Sequence, residues 1–271
     1  MEYQTILLEK KNSIATLTLN RPEKLNALNP RMFVELVHAF RKVNQDNEIR
    51  VLVITGAGRG FCSGVDLTAR ARNQGSSSST EETTETEIEG ISPSDFPREA
   101  PLALAGMKKP VIAAINGVAV GGGLTLTLCC DIRIASETAR FSIPLTRLSF
   151  TFELGSSYFL SRIIGIGKAC ELVFTGRMID AKEAKEIGLV NQVVPADQLT
   201  EIAYEMASTI AKAAPLAQET SKIGLYQGLN ADLPTQLRWE VLANGYLGGT
   251  EDRKEAIKAF MEKRPPIFKG R

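Results

Sequence analysis

The stretch Val111-Ile112-Ala113-Ala114-Ile115-Asn116-Gly117-Val118-Ala119-Val120-Gly121-Gly122-Gly123-Leu124-Thr125-Leu126-Thr127-Leu128 decides the fold. Val111 to Ile115 is a short, wholly apolar run, the pattern of a buried strand. Gly117 to Gly123 is a glycine-rich turn. Leu124 to Leu128 then reads as the start of a helix. Strand, glycine turn and helix in that order are a unit of an α/β core.

Similar units lie on either side. Val51-Leu52-Val53-Ile54 is a second apolar strand, followed by the glycine-rich segment Gly56-Ala57-Gly58-Arg59-Gly60-Phe61-Cys62-Ser63-Gly64-Val65-Asp66-Leu67. Ile132-Arg133-Ile134 is a third. Near the start, Ala15, Leu17 and Leu19 alternate with Thr16 and Thr18, as in a half-buried strand. Asn29-Pro30 caps a helix that gathers Phe33, Leu36, Val37 and Phe40 on one face. His38 lies off that stripe and reads as a surface histidine. Residues 71–97 contain the polar run Gly75-Ser76-Ser77-Ser78-Ser79-Thr80-Glu81-Glu82, too poor in apolar groups to offset its ordering entropy. The expectation there is a mobile acidic loop within the domain. From about Gln198 strands give way to helices. Ile202, Met206 and Ile210 recur at helical spacing, a second helical segment spans 215–229, and a last begins near Thr250.

Composition narrows the function classes. The chain has 271 residues, a net charge of +1, one histidine and four cysteines, Cys62, Cys129, Cys130 and Cys170. Near-neutral charge argues against nucleic acid as a partner. No apolar run reaches bilayer length, and the start lacks an export pattern, so the expected location is cytoplasmic. So few soft ligands argue against a metal site, and the cysteines read as buried small residues in a reducing compartment.

Familiar phosphate and nucleophile motifs fail in detail. After Val51–Ile54, Gly56-x-Gly58 begins like a dinucleotide fingerprint, but its third glycine falls on Phe61. Gly167-Lys168 lacks the leading glycine of a P-loop, since position 162 is Arg162. A Ser-His-Asp triad would depend on His38 alone. Glycine turns that expose main-chain N–H groups fit an oxyanion site better. The N–H of Gly122 would be one donor, and one from the Phe61-Cys62-Ser63-Gly64 turn would be the second.

Taken together, these segments resemble the enoyl-CoA hydratase/isomerase (crotonase) superfamily over nearly the whole chain. Asn20-Arg21-Pro22-Glu23-Lys24-Leu25-Asn26-Ala27-Leu28 looks like its first CoA-contacting segment. Gly56–Leu67 and Lys109–Arg133 look like its two oxyanion-hole segments. Ala181-Lys182-Glu183-Ala184, Gly188-Leu189-Val190 and Phe260-Met261-Glu262-Lys263-Arg264-Pro265 resemble later signatures. The resemblance implies a crotonase-like α/β spiral of ββα repeats over 1–197 and a helical trimerisation region over 198–271. It implies an acyl-CoA substrate, with coenzyme A part of the thioester rather than a tightly bound cofactor, and homotrimers or hexamers. It maps the oxyanion donors to Ser63 and Gly122. It places Lys24, Ala27 and Leu28 beside the nucleotide, with Phe260 and Lys263 reaching it from a neighbouring subunit.

The acids separate the reactions. Hydratases of this family carry two glutamates, and the matching positions here hold Thr125 and Leu145. A single carboxylate follows in Phe150-Thr151-Phe152-Glu153-Leu154-Gly155. Its placement resembles the lone catalytic glutamate of Δ3,Δ2-enoyl-CoA isomerases. One carboxylate suffices to move a proton from C2 to C4, whereas adding water requires both water activation and carbon protonation. The expected activity is therefore conversion of 3-enoyl-CoA to 2-enoyl-CoA by Glu153. Hydratase-like or thioester hydrolase activity, or a non-catalytic acyl-CoA-binding paralogue, are the alternatives. Asp66 and Asp131 read as braces for the turns that carry them.

Overall fold

The computed structural model describes residues 2–67 and 88–271. The elements run β1 (Ile6–Lys11), β2 (Ile14–Leu19), α1 (Pro30–Gln45), β3 (Val51–Gly56), β4 (Gly60–Cys62), α2 (Phe96–Ala105), β5 (Val111–Ile115), β6 (Val118–Val120), α3 (Gly122–Leu128), β7 (Ile132–Ser136) and β8 (Arg140–Ser142). They continue as α4 (Ser156–Ile164), α5 (Ile166–Thr175), β9 (Ile179–Asp180), α6 (Ala181–Glu186), β10 (Gln192–Val194), α7 (Leu199–Ala211), α8 (Pro215–Gly228), α9 (Leu233–Gly248) and α10 (Glu251–Met261).

Among the described residues, the strands build two sheets, ordered β1-β2-β3-β5-β7-β10 and β4-β6-β8-β9. The pairs β3/β4, β5/β6 and β7/β8 each give one strand to each sheet, so the chain winds as a spiral. Pairing is parallel except in β1/β2 and β8/β9. Strand alternation explains the near-continuous apolar runs. Leu52, Ile54, Ala113 and Ile115 face the main core, while Val51, Val53, Ile112, Ala114 and Ile134 face the opposite side. That side is covered by α7, whose Leu199, Ala203, Ala207 and Ala211 recur every four residues and are buried. The first C-terminal helix is thus part of the spiral's own core.

Backbone contact between turns replaces side-chain packing at the centre. A β-carbon built on Gly123 would stand 2.2 Å from the Cys62 carbonyl oxygen, and one on Gly117 would stand 2.2 Å from that of Arg59. Two amide side chains staple the β3–β4 turn. Asn26 Nδ2 donates to the Ala57 and Gly60 carbonyls at 3.0 and 2.8 Å. Asn116 Nδ2 donates to Gly58 at 2.9 Å.

Two expectations are corrected. His38 is only 8 % exposed. Its Nδ1 lies 2.8 Å from the Tyr3 hydroxyl, and its Nε2 lies 3.4 Å from Glu89 Oε1. The N-terminal segment and the turn at 88–91 cover the flank of α1 that the helix pattern left polar. The expected mobile loop at 71–97 falls largely on residues 68–87, outside the described residues, but its last part is folded. Ile88, Ile91 and Phe96 are buried, Ser92 and Asp95 form a capping box, and Phe96 stacks on Phe33 at 4.3 Å. A further helix, α9, lies between the expected one at 215–229 and the expected last one near Thr250. No described helix is long and apolar enough to cross a membrane.

Replacing Gly123 by Ala improves intrinsic helix propensity by roughly 1 kcal/mol but drives a methyl into a carbonyl. The clash wins, because overpacking costs about 1–3 kcal/mol or more and the obstacle here is backbone. Urea denaturation should show Gly123→Ala destabilised by at least about 2 kcal/mol. Gly167→Ala in α5, with nothing within 4 Å, should stay within about 1 kcal/mol of the parent.

Candidate active site

The first turn is fixed by a parallel bridge between Leu28 and Val65. Leu28 N–H donates to the Gly64 carbonyl at 2.8 Å, and Asp66 N–H donates to the Leu28 carbonyl at 2.9 Å. In such a bridge the peptide groups on either side of the central residue are used, and its own N–H faces away. Ser63 N–H donates to the Leu25 carbonyl at 3.0 Å. Ser63 is therefore not placed to offer the expected second donor. The amide turned from the bridge is that of Val65, two residues on, where the strand-like alternation returns.

The second turn meets the first closely. A β-carbon on Gly64 would lie 2.9 Å from the Val120 carbonyl oxygen and 3.6 Å from the Gly122 nitrogen. Gly64 has φ +99°, a conformation that glycine adopts without steric cost. Gly122 is the first residue of α3, and a β-carbon there would stand 3.6 Å from Val65 Cγ2. The same point lies 3.3 Å from Glu153 Oε1. Two main-chain segments and one carboxylate thus converge from three parts of the chain.

These residues line a cavity of about 240 Å³. One wall is Ser63, Gly64, Val65 and Leu67 with Val120 to Gly122; the other runs from Pro144 to Glu153. Glu153 is the one ionisable side chain among the described residues lining it. Leu145 is buried in the wall, and Thr125 is wholly buried with its hydroxyl donating to the Gly122 carbonyl at 3.1 Å. Neither brings a carboxylate. Leu67, Leu148, Phe150 and Phe152 are 37–49 % exposed and make the cavity apolar at its rim.

The other acids are braces. Asp66 pairs with Arg21 at 3.1 Å. Asp131 accepts from Val111 N–H at 2.7 Å, from Lys222 at 2.8 Å and from the Tyr226 hydroxyl at 2.8 Å, joining β5, β7 and α8. Burial, and then the neighbouring Asp131 charge, push the Tyr226 pKa up. Arg133, unremarkable between two isoleucines, is buried. It donates to the carbonyls of Cys130 (2.7 Å), Thr127 (3.4 Å) and Leu189 (2.8 Å), closing the C-terminal end of α3.

The expected nucleotide contacts divide. Lys24 is exposed beside the turn, and its carbonyl accepts from the Ser63 hydroxyl at 3.3 Å. Ala27 is at the edge of burial. Leu28 is wholly buried beneath Gly122, so its side chain cannot reach a nucleotide, because the bridge to Val65 draws it inward. Phe260 is 85 % exposed, Lys263 is also exposed, and neither lines the cavity.

A profile described as Enoyl-CoA hydratase/isomerase matches residues 9–271. The chain belongs to the enoyl-CoA hydratase/isomerase family. It is 40 % identical over 265 residues to the short-chain-enoyl-CoA hydratase of Clostridium acetobutylicum, covering 97 % of both chains. It is 39 % identical to the (E)-benzylidenesuccinyl-CoA hydratase of Thauera aromatica, over 98 % of this chain and 99 % of that one. A crystal structure of enoyl-CoA hydratase from Bacillus anthracis superposes with a TM-score of 0.89 at 37 % identity, over 99 % of this chain and 100 % of that one. The spiral and the acyl-CoA chemistry are those of the family.

Three of the four cysteines, Cys62, Cys129 and Cys130, are buried. Burial pushes the Cys62 thiol up to about 12, aided by the Glu153 charge and opposed by the Gly64 N–H. Burial pushes Cys129 to about 12 and raises Cys130 as well. Only Cys170 is partly exposed. Ellman's reagent at pH 8 should therefore titrate at most one thiol per native chain and four after denaturation, because the thiolate is the reactive form.

Proposed function

We propose that this family member shifts a double bond in an acyl-CoA thioester, from 3-enoyl to 2-enoyl, with Glu153 as the single acid and base. One observation carries the reading: Glu153 alone brings a titratable group to the described lining of the cavity, beside Gly122. The thioester carbonyl accepts from the N–H groups of Gly122 and Val65. Glu153 removes a proton from C2. The charge that develops spreads over a dienolate, whose oxygen the two amides hold. The same carboxyl group returns the proton to C4. Each amide donor contributes about 3 kcal/mol to such a step.

The apolar rim supports a hydrocarbon acyl chain lying along Leu148, Phe150 and Phe152. The exposed Leu233, Val241, Leu242, Phe260 and Met261 on α9 and α10 support a homotrimer or hexamer that covers them. In that assembly Phe260 and Lys263 meet a neighbour's coenzyme A, and Lys24 and Ala27 flank the chain's own.

Hydration is the second reading, favoured by the names of the relatives from C. acetobutylicum and T. aromatica. Glu153 would then have to activate water and protonate carbon by itself. The products separate the readings. With cis-3-octenoyl-CoA, double-bond migration yields 2-octenoyl-CoA. Hydration of 2-octenoyl-CoA yields the 3-hydroxyacyl thioester, and hydrolysis liberates free CoA. Glu153→Gln should lower turnover of 3-octenoyl-CoA by at least about 10²-fold, in the range for loss of a general base. Unchanged turnover would rule out the assignment.

A further inference from the structure

The segment that carries Glu153 is not a helix or strand, yet it is held tightly. Glu153 N–H donates to the Ser156 hydroxyl at 3.3 Å, and Ser156 N–H donates back to the Glu153 carbonyl at 2.9 Å. Ser156 is wholly buried at the first turn of α4. Between them Leu154 has φ +49° and is buried, a conformation that a branched, bulky residue adopts only when its surroundings impose it. Gly155 follows at φ +75°. The Cys129 thiol lies 3.6 Å from the Leu154 carbonyl oxygen and from that of Thr125. Cys129 caps α3, the helix that begins with Gly122. One short helix therefore has the oxyanion turn at one end and the backbone next to Glu153 at the other.

We infer that Ser156 is a positioning residue: its reciprocal hydrogen bonds with Glu153, aided by the Cys129 contact at Leu154, hold the carboxylate in register with the Gly122 amide. The inference rests on the reading of Glu153 as the base. Ser156 does not line the cavity. Removing its hydroxyl takes that partner from the part-buried Glu153 N–H and gives the left-handed turn a way to relax. A shift of about 1 Å at a reacting group can cost on the order of 10²-fold in rate.

The test compares Ser156→Ala, Ser156→Thr and Glu153→Gln in the full-length protein. Turnover of 3-octenoyl-CoA gives kcat and KM. Exchange of the C2 protons of octanoyl-CoA in D2O reads the base directly, whatever the natural product. Titration with octanoyl-CoA gives Kd. Ser156→Ala should lose about 10- to 100-fold in kcat and in exchange rate, with KM and Kd within about threefold of the parent. Ser156→Thr, which keeps the hydroxyl, should recover most of both rates. The inference is overturned if Ser156→Ala matches the parent in both rates while Glu153→Gln is inactive. It is also overturned if KM and Kd rise in step with the loss of kcat, which would mark general loosening of the cavity. Should Glu153→Gln keep full exchange and turnover, the base assignment itself fails, and the positioning role fails with it.

Discussion

The site depends on contact between two stretches of backbone with no side chain between them. Gly123 touches the Cys62 carbonyl, Gly64 touches Val120, and Gly117 touches Arg59. A methyl at any of these points would meet backbone, which no side-chain rotation can move aside, and would force the segments apart. The contact brings the amide of Gly122 next to the turn that carries Val65. The bridge between Leu28 and Val65 then decides which N–H groups are consumed and which is turned away. This geometry is a consequence of how tightly two glycine turns can meet.

The carboxylate comes by a different route. Glu153 lies in irregular chain, at the end of a wall that begins at Pro144 and is mostly apolar. The chain just after it is anchored by the buried Ser156, the left-handed Leu154 and the contact of Cys129 with the Leu154 carbonyl. Braces outside the cavity serve the same end. Asp131, Lys222 and Tyr226 tie α8 to the start of β5 and β7, and Arg133 closes the last carbonyls of α3. Charged groups are spent on holding backbone, which leaves Glu153 as the ionisable group that the described cavity presents.

Much of this was legible in the chain. Apolar runs at 51–54 and 111–115 gave strands buried on both faces, and Asn29-Pro30 gave the start of α1. The glycine turns and the lone acid located the cavity. Other features were hidden because they depend on partners distant in sequence. His38 looked like a surface residue until Tyr3 and Glu89 covered it. Residues 88–97 looked too polar to order, but Ile88, Ile91 and Phe96 find a place against α1 and the core. Ser63 looked like the second donor because the group that takes its N–H, the Leu25 carbonyl, lies far off in sequence.

Local pattern thus sufficed for the class of fold and the family. Periodicity, glycine placement and the absence of acids at Thr125 and Leu145 are properties of single segments. Which N–H the bridge between Leu28 and Val65 turns away, and how Glu153 approaches Gly122, were settled only by folding. Those features arise from hydrogen bonds and van der Waals contacts between segments tens of residues apart, and a linear pattern contains no record of distance or direction between them.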